Sequence, residues 1–575
     1  MKNNVPSYAK YLFFLLLWVA VTFCIKSTKE PDIWWQVRTG EYVIENGTIP
    51  KVDVFSYSYE GEKWINVKWL TEVFMAGISK LLGPELIFLL QALVLIGIFF
   101  IFKRIRRLLD PKGDPYSFAF LAACTLFLFT ISFRINGRPE MMSHLLTAIF
   151  LYIYLDYLKQ PSRLIWFIVP LQLLWANLHE AYGVGIVITG LFFITYLIEK
   201  IRTSGPYNKL NELVGVFVLS ILATTVNPNG LELLLHPINI FQQLKMNTFT
   251  TELSNVMEKE YWNLFSILNI LIFFVGLWKL YQLFTQRKNK GFKLNYLLLF
   301  YPVLFLAFFY LSLRANRNIS FFQIIAFPIV FLFFRQLKIS FVKGTGAYLA
   351  LTVILLLMYV SIPTNLYYKT LDSLNQYGIS LPTDRNPYSA AKFIQQYDLK
   401  GKCFSDCFSS SYLLWHLQPD FKTFLDLRDL DVFEEAFIRN NLMVYKKPET
   451  IISGKNIPLW EEFRSYDNFS YTVNLNAEDF MPLNRYLHKN EDFELVYADE
   501  LNSIFVNKTL QENQKVIQEK GFTTIGEAVF QPLKTKETPV LGQLFNYIFW
   551  PFYSEPQANL DFEPFKQIYF NSLNQ

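Results

Sequence analysis

Eleven apolar runs dominate this 575-residue sequence, near 8–25, 85–102, 116–133, 141–158, 164–178, 183–198, 212–226, 263–284, 296–313, 319–334 and 345–361. Each approaches the length needed to cross a bilayer core. A chain in lipid must satisfy its backbone hydrogen bonds internally, so the first 361 residues are restricted to a polytopic helical bundle. Lys26-Ser27-Thr28-Lys29 follows the first run directly, without a small-residue cleavage motif, so that run reads as a retained span. With a cytoplasmic N-terminus, four basic clusters fall inside: Lys103-Arg104-Ile105-Arg106-Arg107, Lys200-Ile201-Arg202, Arg287-Lys288-Asn289-Lys290 and Arg335 to Lys343. The odd span count then sends the C-terminal part outside.

Composition narrows the function classes. Apolar residues make up 52% and aromatic residues 18% of the chain, and the formal net charge is only +5. Lys and Arg lie between apolar runs rather than along one helix face, which gives nucleic-acid binding no footing. Of the four cysteines, Cys24 and Cys124 fall inside apolar runs, leaving Cys403 and Cys407 as the soluble pair. That spacing, with no His or Cys pair nearby, is a weak zinc signal.

Two segments are too polar to span. Residues 26 to 83 form a long first external loop, within which Trp69 to Leu82 has helical apolar spacing and reads as a helix on the membrane surface. Residues 362 to 575 mix helix-like stretches (Tyr388 to Gln396, Leu430 to Asn441) with strand-like ones (Lys402 to Ser405, Thr423 to Leu427, Phe493 to Tyr497, Ser503 to Asn507). They predict a small extracytoplasmic α/β domain. The aromatic stretch Phe545 to Tyr553 suits either the bilayer surface or the core of that domain.

On this topology Asp32, Arg134, Arg138, His179, Glu180, Arg314 and Arg317 all face outward. Transporters place ionisable groups near the midplane, often on repeated halves, whereas these gather at the outer boundary. Such a boundary suits a lipid-carried substrate meeting an extracytoplasmic acceptor. Each residue also has an ordinary alternative: snorkelling for the arginines, hydrogen-bonded packing for His179 and a loop hydrogen bond for Asp32.

The first loop runs Pro31-Asp32-Ile33-Trp34-Trp35-Gln36, then Gly40 to Gly47, Pro50-Lys51-Val52-Asp53-Val54-Phe55-Ser56, Trp64, and Trp69-Leu70-Thr71-Glu72. It resembles the Asp-x-Trp-Trp-His, Pro-x-x-Asp-x-Phe-Ser and Trp-Leu-x-Glu motifs of a group of bacterial polytopic proteins. Those look like relatives of the GT-C glycosyltransferases, which include protein O-mannosyltransferases and the aminoarabinose transferase acting on lipid A. The likeness continues as short motifs in Gly137-Arg138-Pro139, Trp175-Ala176-Asn177-Leu178-His179, Arg314 to Asn318, Tyr412-Leu413-Leu414-Trp415 and Phe424-Leu425-Asp426-Leu427-Arg428. Gln36 replaces the usual His, and Glu180 and Leu427 stand where Gly is common.

The resemblance implies a GT-C-like bundle in a bacterial cytoplasmic (inner) membrane. It also implies a sugar donor carried on polyprenyl phosphate or diphosphate, and an acidic residue at the start of the first external loop that activates the acceptor or helps hold a divalent metal. Asp32 matches that residue by position; a carboxylate there accepts a proton or steadies charge developing on the sugar ring. Asp53 and Glu72 are the next candidates, although Glu72 lies i, i+4 from Lys68 and suits an ion pair. Arg138, Arg314 and Arg317 are candidates for donor phosphate, because a guanidinium holds two oxygens at once. Trp34, Trp35, Gln36 and His179 complete the set, the tryptophans suiting either sugar stacking or an interfacial belt shared with Trp64 and Trp69. The function expected is transfer of a hexosyl or pentosyl group to an extracytoplasmic glycan, lipid or protein. The rivals are a non-enzymatic scaffold for surface-polysaccharide assembly and, third, a transporter.

Overall fold

The computed structural model describes residues 5–27, 30–203, 209–238, 251–290, 299–337, 345–373, 375–451, 456–520, 530–534, 536–552 and 562–574. The basic stretches expected at 291–293 and 338–343, and Tyr553, lie outside the described residues. The chain divides into two compact units: Met1–Ile25, Val67–Thr71 and Ile87–Ser373 form one, while Lys26–Asn66, Glu72–Leu86 and Leu374–Gln575 form the other. Sequence pattern alone divides the chain once, at 361. Contacts assign most of the first loop to the C-terminal unit instead.

In chain order the α-helices among the described residues up to 361 are α1 (Ala9–Cys24), α2 (Asp32–Asn46), α3 (Trp69–Leu82), α4 (Phe88–Leu109), α5 (Phe118–Ile131), α6 (Glu140–Lys159), α7 (Ile168–Leu178), α8 (Gly183–Thr203), α9 (Leu210–Ala223), α10 (Leu264–Lys290), α11 (Phe300–Arg314), α12 (Ile319–Gln336) and α13 (Thr345–Ser361). Every apolar run of the sequence is occupied by one of them. Among the described residues, five segments are long and apolar enough to cross a membrane: Pro84–Leu109, Glu140–Lys159, Glu180–Ile201, Leu264–Thr285 and Asn316–Gln336. The helices in the other six runs are apolar but have 10–17 residues. α12 is the centre of the helical unit. It is apolar on all sides, every residue from Ile319 to Phe331 is buried, and it packs against α5, α6, α10 and α11. Phe102 of α4 stacks on Phe327 of α12 with ring centroids 3.7 Å apart.

The other unit is built on a four-stranded sheet of β1 (Cys403–Ser405), β2 (Tyr471–Leu475), β3 (Phe493–Ala498) and β4 (Asn502–Asn507), in the order β1-β2-β4-β3. β1 pairs parallel to β2, and the other pairings are antiparallel. Three of the four expected strands are present. The fourth, at 423–427, is a turn: Thr423 makes an isolated bridge to Ser56, and the chain then bends so that Asp426 and Arg428 point inward. β2 goes unannounced because it is buried on both faces, so Tyr-Thr-Val-Asn-Leu lacks the alternation of a half-exposed strand. The helix Tyr388–Gln396 stands as expected, whereas the one expected from 430 starts at Glu435, after a tight turn at Asp429–Asp431. None of the four cysteines is joined in a disulfide.

Within the long loop, α2 is a helix that the apolar pattern of the sequence does not announce. It ends at Gly47, whose φ of 64° is the left-handed C-cap that glycine adopts without strain. Gly40 lets α2 approach α3 closely, since a Cβ at that position would sit 2.0 Å from the carbonyl oxygen of Glu72.

Candidate functional site

The Asp32 motif opens α2. Asp32 occupies the first turn, where a carboxylate suits the positive end of the helix, and it accepts the Trp35 indole N–H at 3.2 Å. Trp34 is fully buried; its N–H donates to Asn386 Oδ1 at 2.7 Å and its ring meets Tyr412 and Trp415, with centroids 4.9 and 4.7 Å away. Trp35 packs with Phe55, Trp64 and Leu414. These rings form the core that joins α2 to the helix Cys407–His416, which accounts for the Trp-Trp and Tyr-Leu-Leu-Trp motifs occurring in one chain. The interfacial belt therefore does not hold for Trp34, Trp35 and Trp64, whose faces are covered by protein. Gln36 is also buried, and its side-chain oxygen has no hydrogen-bond partner among the described residues.

Asp53 has a different setting from Asp32. It accepts the backbone N–H groups of Phe55 (2.8 Å) and Ser56 (3.2 Å), the Ser56 hydroxyl, and Nη1 of Arg428 at 2.6 Å. Arg428 in turn grips Asp426 with a two-pronged contact, Nε and Nη2 each at 2.8 Å from a carboxylate oxygen. All three side chains are fully buried, and the guanidinium lies near the rings of Phe55, Trp64 and Phe433. Burial raises the Asp426 pKa, but Arg428 outweighs it and holds the carboxyl below its ordinary range. The Pro-x-x-Asp-x-Phe-Ser and Phe-Leu-Asp-Leu-Arg motifs are thus two halves of one buried ion triad. With its oxygens committed there, Asp53 is placed to hold the fold rather than to meet a substrate. Glu72, also buried, accepts the Asn66 amide at 2.6 Å.

In the helical unit, loops far apart in sequence meet in a charged cluster. Glu252, between α9 and α10, bridges Arg134 (2.5 Å) and Arg138 (3.1 Å to each carboxylate oxygen). Arg134 also pairs with Glu140, the first residue of α6, and Nε2 of His144 lies 3.7 Å from the same carboxylate. Glu180 lies 3.8 Å from both Lys68 and Arg317. Burial alone would raise the Glu252 pKa, but the two arginines hold it at about 2. Arg138 and Arg317 are therefore brought into the cluster. Arg314, at the end of α11, is exposed and has no ion-pair partner among the described residues.

His179 lies beside that cluster, within reach of the charges of Glu180, Glu140, Lys68 and Arg317. Its Nδ1 accepts the Ala181 N–H at 3.2 Å and sits 2.9 Å from the Ser143 hydroxyl, whose oxygen takes the Trp175 indole N–H at 2.7 Å. Accepting at Nδ1 places the ring proton on Nε2. Burial lowers the His179 pKa to about 4, so the ring is neutral at physiological pH. Asn177 accepts the Trp69 indole N–H at 2.9 Å, and Leu178 O accepts the Thr71 hydroxyl at 2.7 Å, so the Trp-Ala-Asn-Leu-His motif anchors the start of α3. Sequence reasoning missed Glu252 and Glu140. Glu140 was within reach, as the acidic residue opening an apolar run directly after Gly-Arg-Pro; Glu252 sits in a polar loop with no marker. Among the described residues, no group of three or more His, Cys, Asp or Glu side chains could hold a metal ion.

The chain shares its fold with solved structures that are distant from it in sequence. The solved structures similar to it include the apo oligosaccharyltransferase of Archaeoglobus fulgidus, at TM-score 0.54 and 11% identity, covering 88% of this chain and 75% of that one. They also include ArnT of Cupriavidus metallidurans in its apo state, at TM-score 0.50 and 12% identity, covering 87% of this chain and 98% of that one. At such identities the likeness concerns the fold. No family model matches the sequence, and no curated protein matches it either.

Proposed function

We propose that this membrane protein is a glycosyltransferase that moves a sugar from a polyprenyl-phosphate-linked donor to an extracytoplasmic glycan, lipid or protein. Asp32 is its catalytic carboxylate, and Arg138 and Arg317, joined by the exposed Arg314, take the donor phosphate. The N-terminus is cytoplasmic in a bacterial inner membrane, and the sheet-containing unit is extracytoplasmic. The observation that carries this reading is the charged cluster. Lys68, Arg134, Arg138 and Arg317 converge there against three carboxylates, Glu140, Glu180 and Glu252, at the ends of apolar helices. Fixed guanidinium groups at such an end suit a lipid-borne phosphate. The fold shared with a named oligosaccharyltransferase supports the same class.

One observation favours the scaffold reading: Arg138 and Arg317 already have carboxylate partners, which gives each a purely structural occupation. Titrating purified protein with a polyprenyl phosphate separates the two. If the arginines serve phosphate, Arg138→Lys with Arg317→Lys weakens binding at least about tenfold, because the planar fork is lost while charge remains. Glu252→Gln strengthens binding, by removing the negative charge that Arg134 and Arg138 share. Unchanged affinity in both variants assigns the arginines to the bundle.

A further inference from the structure

We propose that the helix Val540–Phe549 is an interfacial anchor that seats the sheet-containing unit on the lipid bilayer. The inference does not depend on the catalytic reading. Residues 538 to 554 carry no charged side chain, in a domain otherwise rich in them. The ten-residue helix turns Gly542, Asn546 and Phe549 inward and leaves Val540, Leu541, Leu544, Tyr547 and Ile548 outward, and Phe552 beyond its end is 81% exposed. Those outward positions fall at i, i+1, i+4, i+7 and i+8, so they make one continuous apolar face. A contiguous exposed apolar face of this kind marks an interaction surface.

Its attachments say what covers it. Asn546 Oδ1 accepts the Ile379 N–H at 2.7 Å, and Asn546 O accepts the Tyr377 hydroxyl at 3.3 Å. Tyr377 in turn forms a backbone bridge with Lys26, two residues after α1 ends at Cys24. Just ahead of the helix, Lys536 pairs with Glu85 at 3.1 Å, and Glu85 lies three residues before α4 begins at Phe88. The helix is thus tied to residues standing next in sequence to two apolar helices, α4 being within a segment long enough to cross a membrane. An uncharged apolar face held at such chain crossings, with Tyr547 and Trp550 among its residues, has the chemistry of the headgroup boundary. Phospholipid is the occupant, rather than a second copy or a partner protein.

The test uses full-length protein in vesicles of phosphatidylethanolamine and phosphatidylglycerol, in a Cys407→Ser background that removes the half-buried native thiol. Spin labels are placed at Leu544→Cys, Ile548→Cys and, as a solvent reference, Lys400→Cys. Collision with oxygen, which concentrates in lipid, is compared with collision with a water-soluble nickel chelate. At 544 and 548 the oxygen-to-nickel ratio should exceed that at 400 several-fold. A ratio equal to that at 400 overturns the anchor. Labels shielded from both reagents overturn it as well, since protein would then cover the face. Melting temperatures of the labelled proteins establish that the fold is intact.

Discussion

Replacing Arg428 by Met deletes the cation of the buried ion triad while keeping most of its volume. The structure gives the guanidinium three charge-assisted hydrogen bonds, two to Asp426 and one to Asp53, with no solvent contact for any of the three side chains. Asp53 keeps its two backbone donors and Asp426 keeps Thr423, so neither carboxylate is stripped bare. Both, however, would be left buried without a counter-charge. Breaking a buried pair by removing one partner costs about 3–5 kcal/mol. For a domain of this size each kcal/mol moves Tm by roughly 2–4 °C, so a fall of about 10 °C is expected for its unfolding transition. Tryptophan fluorescence on the full-length protein in detergent reads it, because Trp64 packs on the guanidinium. Adding Asp53→Asn and Asp426→Asn to Arg428→Met should recover much of the loss, since no buried charge then remains. A shift below about 2 °C for Arg428→Met, or no recovery in the triple variant, would refute the triad as the lock between the two motifs.

Asp499 gives a pH signature of opposite sign to that of a paired carboxylate. Burial lifts its pKa from 3.8 to about 6, against the hydrogen bonds from Tyr497 and from the Leu501 and Asn502 N–H groups. The folded state then holds the proton more tightly than the unfolded one, so stability falls as pH rises through that window and is flat above it, a loss of about 3 kcal/mol at most. Asp499→Asn should flatten that fall, and chemical unfolding at about pH 4 and about pH 7 measures the difference. For topology, a reporter fused after residue 362 should be extracytoplasmic and one inserted at 287–293 cytoplasmic; both on one side would remove the eleven-span arrangement.

The helical unit is legible in the sequence because lipid-length apolar runs leave a chain few choices, and each run is indeed a helix. The motifs are harder to read. Asp32, Asp53 and Glu72 look alike in sequence, as carboxylates in one polar loop. What separates them is a partner hundreds of residues away: Arg428 takes Asp53, and no local pattern announces it. The tryptophans mislead for the same reason, since an indole that suits a membrane belt equally suits a core closed by a distant Tyr-Leu-Leu-Trp segment. α2 escapes notice because its buried face includes Gln36, Arg38 and Thr39, so its apolar periodicity is weak. The gathering of Arg138, Arg317 and Glu180 at one boundary follows from topology alone, whereas Glu252, the carboxylate partner of Arg138, does not.

The central claim is that Asp32 acts in sugar transfer, and Asp32→Asn tests it most directly, because the substitution keeps the shape and the hydrogen bond from Trp35 while removing the charge. Transfer from a polyprenyl-phosphate sugar is measured alongside Tm and donor binding. The account predicts that transfer falls at least about a hundredfold, as for loss of a positioned acid or base, while Tm and donor binding change little. Transfer retained in Asp32→Asn, or lost only in step with a large drop in Tm, would contradict it and return Asp32 to a structural place in the first turn of α2.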